Sequence, residues 1–267
     1  MASSDGASYP STVRKDYDHL TRQQQLLLER GVTIIREQFV EAIKGKAWEK
    51  KKQGRILKII LYGSMARGKA VRDLGSGYRS DFDLLIVVSH FELTDPEWWY
   101  GVYDGLTLEQ SLGATRYPYS FIVHDLADVN DQLHRGRPFF TDINRDGIIV
   151  YEYDTKALAK PGNLGAEESH DEAQSHFEQW FENSIRLKRG ADFFVADGSL
   201  KQAAFLLHQT VESAYHCALL TLRLYSPQLH DLKQLRGMAE GLDPRLIEAW
   251  PRKTRWQRRP FERIWRA

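Results

Sequence analysis

Two aspartates, Asp81 and Asp83, open an apolar run, Leu84-Leu85-Ile86-Val87-Val88, and a Gly63-Ser64 pair closes an earlier one, Ile59-Ile60-Leu61-Tyr62. Alternate side chains of a strand share a face, so Asp81 and Asp83 project together while Phe82 goes the other way. Two neighbouring carboxylates repel each other unless a proton or a cation lies between them. A hard divalent cation suits that place, because Mg²⁺ takes carboxylate and phosphate oxygens. A Gly-Ser turn offers backbone N–H groups and a hydroxyl, the donors a phosphate needs. Alone, a Gly-Ser is an ordinary turn and an Asp-x-Asp an ordinary solvated or capping pair. In this order, at the ends of two apolar strands, they point to metal-assisted phosphate chemistry.

The run Gly63-Ser64-Met65-Ala66-Arg67-Gly68, followed by Ser80-Asp81-Phe82-Asp83, resembles the signature of the polymerase-β superfamily of nucleotidyltransferases. It is most similar to the minimal and aminoglycoside-type members. The resemblance implies transfer of a nucleoside monophosphate from a nucleoside triphosphate, with ATP the expected donor, to an acceptor hydroxyl, with release of pyrophosphate. It implies that Asp81 and Asp83 are catalytic and hold Mg²⁺, or Mn²⁺ in its place, and that Gly63 and Ser64 hold the triphosphate. Arg67 either balances phosphate charge or pairs with an acid such as Asp73. A small molecule, a protein hydroxyl and an RNA end all fit as acceptor. The interval between the motifs is longer than in the smallest members, and its polar residues 71–79 are expected in a surface loop.

A third apolar run, Tyr119-Ser120-Phe121-Ile122-Val123-His124, reads as another strand. Relatives of the family commonly carry a third carboxylate there, and the corresponding place in this chain is Ser120. Serine binds Mg²⁺ weakly and is a poor base near neutral pH. His124 shares the face of Ser120, but four residues along a strand is roughly 13 Å. A second expectation therefore stands beside the transferase: a nucleotide-binding regulator with a degraded site.

The bulk numbers bound the alternatives. A chain of 267 residues with 42% hydrophobic and 27% charged residues has the composition of a folded protein of one large or two ordinary domains. Its net charge of +1 gives no whole-molecule field towards nucleic acid or membrane. A single cysteine, Cys217, rules out an intrachain disulfide and reads as a buried small hydrophobe. No apolar run is long enough to cross a bilayer, and the first residues lack the basic and apolar segments of a secretory signal. The expected location is cytoplasmic, without a membrane partner.

Taken in order, residues 1–17 read as a loose end and Leu20 to Ile43 as a helix. Lys44 to Lys58 is strongly basic, read as a solvated connector or a basic rim near the triphosphate. Asp95-Pro96 opens a helix through Trp98, Trp99 and Tyr100 to Leu112. Asp125 caps a helix through Leu133, Pro138 starts a short one ending at Gly147, and Ile148 to Tyr151 is a last strand. The expected fold is a mixed α/β sheet nucleotidyltransferase domain over residues 1–153. Pro161-Gly162-Asn163, within 154–171, has the signature of a linker.

Beyond it the period is helical, giving an all-α bundle over residues 154–267. Phe205, Leu206, Val211, Ala214, Ala218 and Leu222 are its core candidates, and helices are expected over 229–239 and 244–264. Ala203 to Glu212, followed by Pro227-Gln228-Leu229-His230-Asp231-Leu232, resembles the HEPN family, whose helical domains often accompany minimal nucleotidyltransferases. Ribonuclease members carry Arg, four to six residues, then His. Arg223 and His230 have that spacing, which makes a metal-independent ribonuclease of toxin–antitoxin type a third expectation. His208, Glu212 and Tyr215 share a helix face. They either line a cleft towards the nucleotide or form a hydrogen-bonded, partly buried trio. Arg252 to Arg266 interleaves seven cations with Trp256 and Trp265. Such a segment either grips nucleic acid or covers the bundle with a solvated basic face. Apolar surface on the helices suggests a homodimer, and HEPN relatives often run beyond the position of Ala267.

Overall fold

In the computed structural model, residues 13, 15–44, 54–68, 72–73, 78–115 and 117–265 are described. They divide into two compact units. One takes the described residues up to 68 with 79–136 and 140–163, and the other takes 72–73, 78, 137–139 and 164–265. Most of the basic run over 45–53 and of the loop over 69–77 lies outside the described residues, as does the Asp73 side chain.

The first unit is built on a four-stranded mixed sheet. Its strands are β1 (Ile56–Tyr62), β4 (Phe82–Val88), β5 (Tyr119–Asp125) and β6 (Ile148–Glu152), in the order β5-β4-β1-β6. β1 runs antiparallel to β4 and β6, and β4 runs parallel to β5. Two short strands, β2 (Arg72–Asp73) and β3 (Tyr78–Arg79), pair apart from this sheet. β1 is buried along its whole length and β4 from Leu84 onward. That explains why both read as continuous apolar runs rather than alternating ones.

One face of the sheet packs on helix α1 (Arg22–Ile43). Ile59, Leu61, Phe82, Leu84 and Ile86 meet Leu28, Ile35 and Phe39 there. Thr21 and Gln24 close α1 with reciprocal side-chain and backbone hydrogen bonds. On the other face His124 of β5 meets Phe140 edge-on at 5.2 Å, and Gly147 lies against Ile60. The helices beside β5 and β1 are α4 (Leu126–His134) and α5 (Pro138–Asp146). Asp125 caps α4, accepting from the N–H groups of Ala127 and Asp128.

Two expectations change here. The helix expected from Pro96 to Leu112 is a 3-10 turn, Pro96–Trp98, followed by α3 (Tyr100–Ser111). The break lets Trp98 and Trp99 both bury, each indole N–H donating to a backbone carbonyl, of Glu92 and Leu93. In an unbroken helix they would point about 100° apart. Tyr100 is left exposed. Lys58, the end of the basic run, is neither solvated nor a rim. It is 1% exposed and pairs with Glu152 at 2.7 Å and with the Asp154 carbonyl at 3.2 Å. A buried ammonium holds only with such partners.

The second unit contains α6 (Ala166–Ala196) and α7 (Leu200–Arg223), joined by a short turn at Gly198. They form an antiparallel pair: Cys217 reaches Phe177, Ser213 bonds Asn183, and Leu206 lies against Gly190. α6 starts within the segment read as linker. α7 buries Ala203, Ser213, Cys217 and Leu219, while Phe205, Ala214 and Leu222 are exposed, a correction to the expected core. α8 (Leu232–Leu242) follows, capped by Asp231. The helix expected over 244–264 is a 3-10 turn, Pro244–Ala249, and a separate α9 (Arg255–Trp265), broken where Trp250 leaves helical dihedrals before Pro251. Among the described residues, no helix is long and apolar enough to cross a membrane.

Candidate active site

The antiparallel pairing of β1 with β4 sets Tyr62 opposite Asp83. The chain leaves β1 at Gly63 and makes a single helical turn, α2 (Gly63–Ala66). Gly63 has φ +74°, and a Cβ there would lie 2.4 Å from Asp83 Oδ2. Backbone conformation and space both demand glycine. Met65 and Ala66 are fully buried and root the turn in the core, and His19 Nε2 bonds the Met65 carbonyl at 2.9 Å. Ser64 remains half-buried and Arg67 exposed.

Phe82 fixes the two aspartates. It is fully buried, its ring lies 5.4 Å from that of Tyr119, and its N–H donates to the Pro118 carbonyl at 2.8 Å. Asp81 and Asp83, flanking it, therefore take the opposite face, both half-buried. Among the described residues, neither carboxylate has a hydrogen-bond or ion-pair partner. Burial pushes Asp81 up to about 6. Burial, and then the charge of Asp81, push Asp83 well above the usual carboxylate range, with Arg67 pulling it partly back. Arg67 thus acts on Asp83 electrostatically.

β5 runs beside β4 with Ser120 directly opposite Asp83. The third strand brings a hydroxyl, not a carboxylate, to the pair. His124 lies four residues further on, its Nδ1 bonded to Asp128 Oδ2 at 2.5 Å, which holds the Asp128 carboxyl below its ordinary value. Among the described residues, no group of three or more His, Cys, Asp or Glu side chains is arranged to hold a metal. The Asp81–Asp83 pair fits a hard cation as a two-carboxylate donor set, with the remaining oxygens to come from a phosphate and water.

In the second unit, Glu212 is buried and surrounded by imidazoles. His230 Nδ1 bonds Glu212 Oε1 at 2.9 Å, His208 Nε2 lies 3.8 Å from Oε2, and His216 Nε2 lies 3.9 Å from Oε1. His208 Nδ1 bonds the Ile264 carbonyl. His216 escaped the sequence reading, although its i+4 spacing from Glu212 was the available signal. Burial holds its pKa below the ordinary value. Tyr215 lies in the core with Leu219, Leu232 and Phe261, and burial raises its phenol far above the usual range. His230 is mostly exposed, and Arg223 lies in the last turn of α7.

A scan against protein-family models finds no match for this chain. A search of curated proteins finds no significant match either.

Proposed function

We propose that the chain is a Mg²⁺-dependent nucleotidyltransferase. It moves a nucleoside monophosphate from a nucleoside triphosphate to an acceptor hydroxyl, with residues 1–153 as the transferase domain and 154–267 as a HEPN-type helical domain. The observation that carries this reading is the meeting of Gly63 with Asp83. Two motifs separated in sequence close on each other so tightly that a single methyl group would strike the carboxylate. Unpartnered carboxylates beside a Gly-Ser turn suit a charged ligand better than they suit stability.

Asp81 and Asp83 would hold the metal, which neutralises charge on the phosphate oxygens when bound. Ser64 and the backbone N–H groups of α2 would donate to the triphosphate, and Arg67 would add a cation beside it. In the reaction the acceptor oxygen bonds to the α-phosphorus, and the bond from that phosphorus to the pyrophosphate oxygen breaks. The hydroxyl proton leaves to water. The chain's contribution is positioning and charge neutralisation. Pyrophosphate release from the four ribonucleoside triphosphates, across a panel of acceptors with Mg²⁺, tests it. Release should fall about a thousandfold or more in Asp83→Asn; release unchanged in that variant would sink the assignment.

Ser120 opposite Asp83 favours a second reading, a nucleotide-binding regulator that turns over slowly or not at all. It predicts triphosphate binding without pyrophosphate release in the same samples. Ser120→Asp should then raise release, and no gain would argue against the missing carboxylate as the limit.

A further inference from the structure

Helix α9 is amphipathic in an unusual way. Phe261, Ile264 and Trp265 pack into the core of the helical unit with Tyr215 and Leu235. Trp265 is further tied down by Lys233, whose Nζ lies 3.3 Å from the ring centre. The apolar face is therefore already used. The outward face keeps a second tryptophan: Trp256 is 76% exposed. The Arg259 guanidinium lies over its ring, 4.4 Å from the ring centre.

Within seven residues of this indole along the chain come Lys253, Arg255, Arg258, Arg259 and Arg263, against Glu262 as the one acid of the stretch 253–263. None of these five cations has an ion-pair partner among the described residues. That contrasts with Arg252 and Arg236 of the same unit, whose charges are spent on buried Glu240. Trp256, Arg259 and Arg263 fall at i, i+3 and i+7, so they form one stripe along the helix. The stripe from Trp256 to Arg263 is roughly 10 Å long.

We propose that this outward face of α9 binds single-stranded nucleic acid, with the guanidinium groups on the phosphodiester backbone and Trp256 as the platform for a base. Unpaired cations match the charge of a polynucleotide, and each phosphate they neutralise releases condensed counterions. An exposed indole adds what a merely solvated basic helix has no use for, a flat surface on which any unpaired base stacks. A duplex hides the faces of its bases and gives Trp256 nothing to cover. An anionic membrane is the poorer fit. Helices that lie on lipid bury an apolar face in it, and the apolar face of α9 is inside its own unit. The inference does not depend on the transferase reading, since it concerns another unit and other residues.

The test uses the full chain and short labelled oligonucleotides of one unstructured sequence, as RNA and as DNA. The same sequence as duplex and vesicles containing phosphatidylserine are the competitors. Either single strand should bind at low salt, weaken steeply as salt rises, and quench tryptophan emission. Trp256→Ala should cost about tenfold in affinity while Trp256→Phe keeps most of it. Arg259→Ala with Arg263→Ala should flatten the salt dependence. All these side chains are outside the core, and circular dichroism confirms that each variant is folded. Absence of single-strand binding at low salt, equal binding by Trp256→Ala, or preference for duplex or vesicles would overturn the proposal.

Discussion

Glu240 and the Asp81–Asp83 pair are both held away from water, and they are treated in opposite ways. Glu240 in α8 is almost fully buried, with Arg236 on one oxygen at 2.7 Å and Arg252 on the other at 2.7 Å. The Arg236 guanidinium also lies over the Phe261 ring, and its NH2 donates to the Trp250 carbonyl, so the triad joins α8, the 3-10 turn and α9. Asp81 and Asp83, at the end of β4, have no such clamp. They lie close enough that the charge of one raises the pKa of the other, and Arg67 offsets this only in part. Where a buried acid serves structure, the chain supplies the countercharge itself. Where Asp81 and Asp83 lie side by side, the described residues supply no such clamp, and under the proposed function a bound cation would supply the countercharge.

This contrast makes measurable demands. Glu240→Gln should cost about 3–5 kcal/mol in urea unfolding, because it leaves two guanidinium groups buried without their acid. A loss within error would mean that the triad is not what joins those helices. The metal-free chain should also respond to pH through Asp81. Its folded pKa of about 6 lies above the unfolded value, so the folded state binds the proton more tightly. Stability is then fully present at low pH and is lost as pH rises from about 4 through 6, by about 2–3 kcal/mol. Asp81→Asn should flatten that slope, and an unaltered slope would place its source elsewhere. The smallest effect has the opposite sign to that of Glu240. Asp83→Asn should stabilise the metal-free chain by about 1 kcal/mol at neutral pH, since it removes a repelling charge. A destabilised variant would mean that Asp83 serves the fold.

Much of the local architecture was legible. Asp95 before Pro96 and Asp125 before Leu126 are start signals written in adjacent residues, and both act as caps. The apolar runs around Ile60 and Ile86 are strands because their length and branching suit burial on both faces. What failed was long-range. Lys58 looked like the end of a solvated run because its partner, Glu152, comes from β6, 94 residues later. Phe205 and Leu222 looked like core because a helical period reports that a helix has an apolar side, not which side finds a neighbour.

The same division runs through the candidate site. The sequence alone determined that Asp81 and Asp83 share a face around Phe82, since strand alternation is a property of the backbone. It also determined that a glycine stands where the first apolar run ends. Only the tertiary structure decided that this glycine lies against Asp83, that Ser120 is the residue opposite, and that Glu212 gathers His208, His216 and His230. Register between strands and packing between helices are set by the sum of many side-chain contacts far apart in the chain, and no short stretch of residues carries that sum.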